Sequence, residues 1–208
     1  MNVLITAGPT REKIDPVRFI SNRSSGRMGY AIAEAARDAG HKVTLISGPV
    51  SLPVPSEIDL VKVESAAEMS DAVKKHFPDS DLTVMAAAVA DYRPAHPLNG
   101  KMKKCSGSLF LELERTEDIL AAIGSMKKPS QILVGFAAET DDLEENARGK
   151  LERKNLDWIA ANYVADGFDT TENKIILFSK NGDRIELQNA PKTVIAQRMI
   201  GIITEKTE

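Results

Sequence analysis

Ser25–Ser47 reads SGRMGYAIAEAARDAGHKVTLIS, and its two halves carry different periods. Met28, Ile32, Ala35, Ala36 and Ala39 recur at the spacing of one helical face, and Gly40 follows as a stop. Val43–Ile46 then forms a short, mostly apolar run, which suits a strand covered on both faces. A comparable run, Val3–Thr6, precedes the helix pattern. The stretch therefore predicts a helix over 25–39 between parallel strands at 2–6 and 42–47.

The alternation continues outward. Runs rich in valine, isoleucine and leucine predict strands near 59–63, 81–87, 131–137 and 157–161, with helices over 66–76, 117–125 and 141–154. Ser65 with Glu68 reads as a capping box opening the helix at 66–76. Near the C terminus, residues 174–179 and 184–187 flank Asn181 and Gly182, a pair that favours a hairpin turn. Pro191 is placed to start a final amphipathic helix. The expected fold class is α/β, a Rossmann-like three-layer sandwich with a mostly parallel sheet and a C-terminal antiparallel hairpin, one domain over residues 1–208.

Composition fits an ordinary globular chain, with 42% hydrophobic and 27% charged residues. A chain of 208 residues can bury roughly 70% of the surface its unfolded form exposes. Apolar runs such as Leu82–Ala90 are far shorter than the ~20 residues that cross a bilayer. No charged segment precedes Val3–Thr6, so neither membrane insertion nor secretion is expected. Cys105 is the single cysteine, which excludes an intrachain disulfide or a multi-thiol metal site and suits a reducing cytoplasm. His41, His76 and His96 lack ligand spacing, so the metal ligands, if any, are unknown.

The formal net charge of −3 argues against a general nucleic-acid binder. Basic residues nevertheless gather at Arg18, Arg23 and Arg27, at Lys101, Lys103 and Lys104, and at Arg148, Lys150, Arg153 and Lys154. Such clusters suit a compact anionic ligand or, one by one, a solvated face.

Two polar segments, residues 7–24 and 90–108, are long for simple connections and begin at strand ends, where open α/β sheets bind ligands. In the first, Ser24, Ser25, Gly26 and Gly29 bring small residues to a helix entrance, whose free amides and positive dipole attract phosphate. Helix capping is the plainer use of the serines. Asn22 can orient an oxygen, and Arg18, Arg23 and Arg27 can neutralise an anion. The strand before the second segment ends in Met85, Ala86 and Ala87, where the alanines leave room for a flat group or a sugar; Asp91 offers an acceptor beside them, and Lys101 lies where a mobile segment can close over phosphates. Phe136 can cover a base or pack in the core. Lys150 and Lys154 share a helical face. Cys105 has no histidine partner and is assigned no nucleophilic role.

A nicotinamide-dependent reductase is the enzyme alternative. Leu45–Gly48 has no acidic residue to hold an adenosine ribose, and none of Tyr30, Tyr92 or Tyr163 has a lysine four residues later. A nucleotide-binding regulatory module is the non-enzyme alternative.

The motifs Ile5–Arg11 (ITAGPTR), Asp15–Gly29 (DPVRFISNRSSGRMG), Ala87–Pro94 (AAVADYRP), Lys101–Lys104 (KMKK) and Gly135–Thr140 (GFAAET), with Lys150 through Lys154, together resemble one family. It is the phosphopantothenoylcysteine synthetase domain, or phosphopantothenate–cysteine ligase, of bacterial coenzyme A biosynthesis. Lys13 and Glu117 stand where proline is frequent in the family. The resemblance implies a ligase joining 4'-phosphopantothenate to L-cysteine with CTP through an acyl-cytidylate, releasing CMP and pyrophosphate, with Mg2+ as companion ion. It implies Asn22 and Lys101 as catalytic residues. Nucleotide contacts carried over are Met85, Ala86, Ala87, Asp91, Lys101, Glu117, Asp118, Ile119, Leu120, Phe136, Lys150 and Lys154. Substrate contacts are Arg18, Asn22, Ser24, Ser25, Gly26 and Gly29. It further implies a homodimer built partly on Asp15–Asn22, a cytoplasmic location, and a phosphopantothenoylcysteine decarboxylase as an accompanying chain or domain, with no nucleic acid or membrane partner.

Overall fold

The first strand is buried at every position after Asn2, as expected of a strand covered on both faces. The computed structural model describes residues 1–104, 106–163 and 171–205; Cys105 lies outside them. In chain order the described elements are β1 (Asn2–Ala7), β2 (Arg11–Lys13), β3 (Phe19–Ser21), α1 (Arg27–Asp38), β4 (Lys42–Ser47), β5 (Asp59–Lys62), α2 (Ala66–His76), a 3-10 turn (Phe77–Asp79) and β6 (Leu82–Met85). There follow β7 (Tyr92–Pro94), β8 (Leu113–Arg115), α3 (Ile119–Met126), β9 (Ile132–Glu139), α4 (Leu143–Arg153), β10 (Trp158–Tyr163), β11 (Glu172–Ser179), β12 (Arg184–Pro191) and α5 (Lys192–Glu205).

Among the described residues the main sheet has eight strands in the order β12-β11-β10-β9-β6-β1-β4-β5. From β5 to β10 every pairing is parallel; β11 and β12 add antiparallel neighbours at one edge. The strand order reverses between β1 and β6, and the crevice beyond their carboxyl ends is the position where such sheets receive ligands.

One apolar layer joins the sheet to α1 and α5 through Ile32, Ala36, Ile195 and Met199. The other joins it to α2, α3 and α4 through Met69, Phe77, Ile123 and Leu151. This is the expected three-layer sandwich. Burying each large side chain here contributes roughly 1.5–3 kcal/mol before entropy is counted.

Several boundaries differ from expectation. Strand β6 ends at Met85, not 87, because the Ala87 amide donates to the Thr6 hydroxyl instead of a strand carbonyl, and a single bridge from Pro9 to Ala88 follows. Ala39, expected in the buried stripe, is the exposed C-cap of α1, and Gly40 behind it takes φ +82°. Pro191 ends β12, so α5 starts at Lys192. At α2 the Ser65 hydroxyl accepts from the Glu68 amide at 3.2 Å, but Glu68 reaches back to the Glu64 amide, so the box is displaced by one residue. Short strands occur in the polar segments as well: β2 pairs with β3 in the first, and β7 in the second pairs with β8 just beyond it.

Candidate functional site

The turn after β1 and the entrance of α1 pack backbone against backbone. Gly26 takes φ +75°, and a Cβ there would stand 2.7 Å from Val50 Cγ1 and 3.3 Å from Gly8 Cα. Gly29 lies over β1, where a Cβ would meet that of Ala7 at 2.5 Å. Gly26 is the N-cap and makes no side-chain cap hydrogen bond; the Ser24 hydroxyl accepts from the Gly26 amide at 3.3 Å, one step short of the helix. The serines therefore do not cap α1, and its first-turn amides face a cleft of about 200 Å3. Ser24, Ser25, Gly26 and Gly29 all line it, opposite Ala86–Ala88 and Phe136.

A second cleft, of about 570 Å3, opens on the other side of the β6 turn and is large enough for a nucleotide. Met85, Ala87, Asp91, Phe136 and Lys154 line it together with the segment Glu117–Leu120, whereas Ala86 faces the first cleft. Ala87 and Phe136 belong to both walls, so the two cavities adjoin.

Two acidic groups at the second cleft, Glu117 and Asp118, have lowered pKa values. Lys74 at 2.5 Å and Ser70 at 2.7 Å donate to Glu117 and lower its carboxyl pKa against a smaller opposing effect of burial. For Asp118, burial pushes the carboxyl up, but Lys154 and the Ala121 amide outweigh it and the result lies below the ordinary value. Asp118 thereby caps α3 and ties it to Lys154 at 2.9 Å. Its charge meets the positive end of the helix dipole.

The turn after β6 is stitched to the first polar segment. Thr10 donates its amide to Ala88 O at 3.3 Å and accepts at its hydroxyl from the Ala90 amide at 3.0 Å. Asn22 Nδ2 donates to Ala88 O at 3.3 Å and to Val89 O at 2.9 Å. Asn22 is thus held at the backbone between Ala88, which lines the first cleft, and Val89, which lines the second.

Other expected site residues lie outside the cleft linings. Arg18 pairs with Asp15, and its guanidinium approaches Met102 O at 3.5 Å. Lys101 is exposed beside Met102. Lys150 donates to Glu139 at 2.6 Å, so of the α4 pair only Lys154, just past the helix end, lines the second cleft. Arg148 from the same basic cluster bonds Glu144 at 2.9 Å and lies 4.9 Å over the Phe178 ring, a surface support of α4.

Three residues of the first cleft were missed in the sequence. Asn162 at the end of β10, Asn173 on β11 and Lys192 at the start of α5 line it from the antiparallel side. No local spacing marks them, because they come from three separate elements that meet only in the folded sheet.

The family model described as "DNA/pantothenate metabolism flavoprotein C-terminal domain" matches residues 1–206. The coenzyme A biosynthesis bifunctional protein CoaBC of Bacillus subtilis (strain 168) is 53% identical over 190 residues, which are 89% of this chain and 47% of that protein. The protein of the same name from Escherichia coli (strain K12) is 47% identical over 191 residues, 89% of this chain and 47% of its own length. The chain thus spans about half the length of these relatives. The crystal structure of the C-terminal domain of a CoaBC protein superposes with a TM-score of 0.84 at 46% identity, covering 97% of this chain and 93% of that one. The resemblance drawn from the sequence motifs is borne out, and the chain belongs to the DNA/pantothenate metabolism flavoprotein C-terminal domain family.

Proposed function

We propose that this chain is the ligase part of coenzyme A biosynthesis, joining 4'-phosphopantothenate to L-cysteine with CTP. The observation that carries the reading is the pair of adjoining clefts sharing Ala87 and Phe136. One presents uncapped helix amides suited to a phosphate, and the other has the size and lining suited to a nucleotide. Relatives at 53% and 47% identity carry the name of a coenzyme A biosynthesis protein.

A carboxylate is a poor electrophile, so it has to be activated before an amine attacks. In the proposed first step a carboxylate oxygen of phosphopantothenate attacks the α-phosphorus of CTP, the bond to the β-phosphate oxygen breaks, and pyrophosphate leaves. In the second the cysteine amine attacks the acyl carbon, loses a proton, and CMP leaves with the bonding pair. Asn22 would orient the acid by turning its Nδ2 from Ala88 O and Val89 O to a carboxylate oxygen, and Lys101 would add positive charge as the segment beside Met102 approaches the transferring phosphate.

Among the described residues no three His, Cys, Asp or Glu side chains gather into a metal cage. Mg2+ brought in with the triphosphate would neutralise phosphate charge, and Asp91, which lines the second cleft, would be the carboxylate available to hold it.

A homodimer fits exposed apolar side chains such as Val17, 60% exposed, and Phe110, 90% exposed. No described helix is long and apolar enough to cross a membrane. The proposal places the reaction in the cytoplasm, with the decarboxylase on a joined or separate chain.

The test is incubation with phosphopantothenate, cysteine, CTP and Mg2+. Formation of phosphopantothenoylcysteine, CMP and pyrophosphate is expected, and a nucleotide competition series would show CTP preferred to ATP. CTP binding without product would support a regulatory module instead, and a nicotinamide redox change a reductase.

A further inference from the structure

We propose that Asn173 and Lys192, supplied by the C-terminal antiparallel edge, bind the phosphate of the acid substrate at the entrance of α1. The inference rests on the ligase reading for the identity of that substrate. Its basis is the inner wall of the first cleft, which Asn173 and Lys192 line opposite Ser24–Gly29. Asn173 is only 4% exposed and Lys192 only 8% exposed.

The Asn173 side chain is oriented by its own neighbour. Its Oδ1 accepts from the Lys174 amide at 2.9 Å, which leaves Nδ2 as the end turned away from that contact. The residue lines the cleft and is more than nine-tenths buried, so the amide end not held by Lys174 is offered to the cleft. Among the described residues no fully buried side-chain nitrogen or oxygen lacks a partner, so this amide is no orphan of the core but a donor that a ligand acceptor in the cleft can meet.

Sheet register brings the second group alongside. Asn173 pairs with Ala190 and Glu172 with Pro191, so Lys192 begins α5 beside Asn173. The Lys192 amide donates to Thr171 O at 3.1 Å, which fixes where its side chain starts.

The three contributions share one polarity. First-turn amides of α1, Asn173 Nδ2 and the Lys192 ammonium are all donors, and a phosphate dianion offers only acceptors. By contrast, Asn162 donates its Nδ2 to Tyr163 O at 2.8 Å and presents its acceptor end instead, which does not suit a phosphate. The C-terminal edge thus closes the anion end of a cleft otherwise built by residues near the N terminus.

The decisive variant is Asn173→Asp, which keeps the oxygen that receives the Lys174 amide and replaces the donor with a negative charge. Asn173→Ala and Lys192→Gln accompany it, each checked for native circular dichroism. Steady-state kinetics would compare KM for phosphopantothenate, KM for CTP and the preference for phosphopantothenate over pantothenate. The expected result is a rise of about tenfold or more in KM for phosphopantothenate, largest for Asn173→Asp, with KM for CTP little changed and the preference reduced by a similar factor.

Equal changes in both KM values, or an unaltered preference, would overturn the assignment. A direct readout separates this outcome from failure of the ligase reading: titration of inorganic phosphate while following the amide resonances of Arg27–Gly29. Saturable shifts that weaken in Asn173→Asp would uphold the phosphate site even if the wild-type protein made no amide product. Absence of a response in the wild type, or identical binding by the variant, would overturn it.

Discussion

The Asp15 carboxylate accepts a hydrogen bond from the Met102 amide at 3.1 Å, joining two polar segments separated by 87 positions in the chain. It also receives the amides of Val17 at 2.7 Å and Arg18 at 2.9 Å and pairs with the Arg18 guanidinium. Lys101 is therefore the immediate neighbour of an anchored residue, although its own side chain is exposed. The acidic partner, not the basic run itself, defines where that run begins.

Burial pushes the Asp15 carboxyl up, but the amides of Val17, Met102 and Arg18, with the charge of Arg18, outweigh it and hold the pKa below the ordinary value. A lowered folded pKa means the anchor is present above the unfolded value and is lost as pH falls through the folded one. The contact should be insensitive to pH near neutrality and open only in acid. Asp15→Asn should accelerate amide hydrogen exchange at Met102 by about tenfold or more. Unchanged exchange would remove Asp15 as the anchor.

Asn22→Asp exchanges the donor that holds Ala88 O and Val89 O for a negative charge at the junction of the clefts. On the ligase reading, the acyl-cytidylate trapped by rapid quench should fall by about tenfold or more, because a like charge repels both the carboxylate and the phosphate. An unchanged yield would reject the position proposed for Asn22.

Lys101→Gln should separate chemistry from folding. The residue is exposed, so thermal stability should hold, while loss of one charge-stabilising donor should slow single-turnover intermediate formation about a hundredfold. Normal single-turnover chemistry would show that the lysine acts elsewhere.

Asp157 tests the frame. It receives Lys127 at 2.7 Å and the Leu133 amide at 2.8 Å and also pairs with Lys180. Burial pushes its carboxyl up, yet Lys127, Lys180 and the Leu133 amide outweigh that and lower the pKa. Asp157→Asn should destabilise the fold by about 2–3 kcal/mol in urea unfolding at neutral pH, because buried lysine charge is left uncompensated. The sign again gives stability above the unfolded pKa that is lost as pH falls through the folded one, so wild type and variant should converge in acid. A constant difference at every pH would exclude the carboxylate charge as its source.

The helix expected over 66–76 and the strand over 42–47 have those bounds in the structure, because local signals coincide there. At 66–76 a serine N-cap, an acidic first turn and a basic last turn agree with the apolar stripe. Residues 7–24 and 90–108 read as long polar connections, since β2, β3 and β7 within them are three residues each and Tyr92 of β7 pairs with Arg115 beyond the second segment. Strands that short carry no measurable alternation.

The linear pattern alone determined the layered parallel sheet, since covered strands need continuous apolar runs and their crossover helices need an apolar stripe. Of the motifs read there, Ser24–Gly29 lines the first cleft and Asp91 the second, whereas Lys101–Lys104 lines neither. Only the tertiary structure decided that Lys150 meets Glu139 while Lys154 faces the nucleotide-sized cleft, and that Asn162, Asn173 and Lys192 converge on the entrance of α1. Period and spacing report what a residue does along its own element. Which groups share a cavity depends on sheet order and register between elements far apart in the chain, and β10, β11 and α5 come near the N-terminal turn only through the order β11-β10-β9-β6-β1.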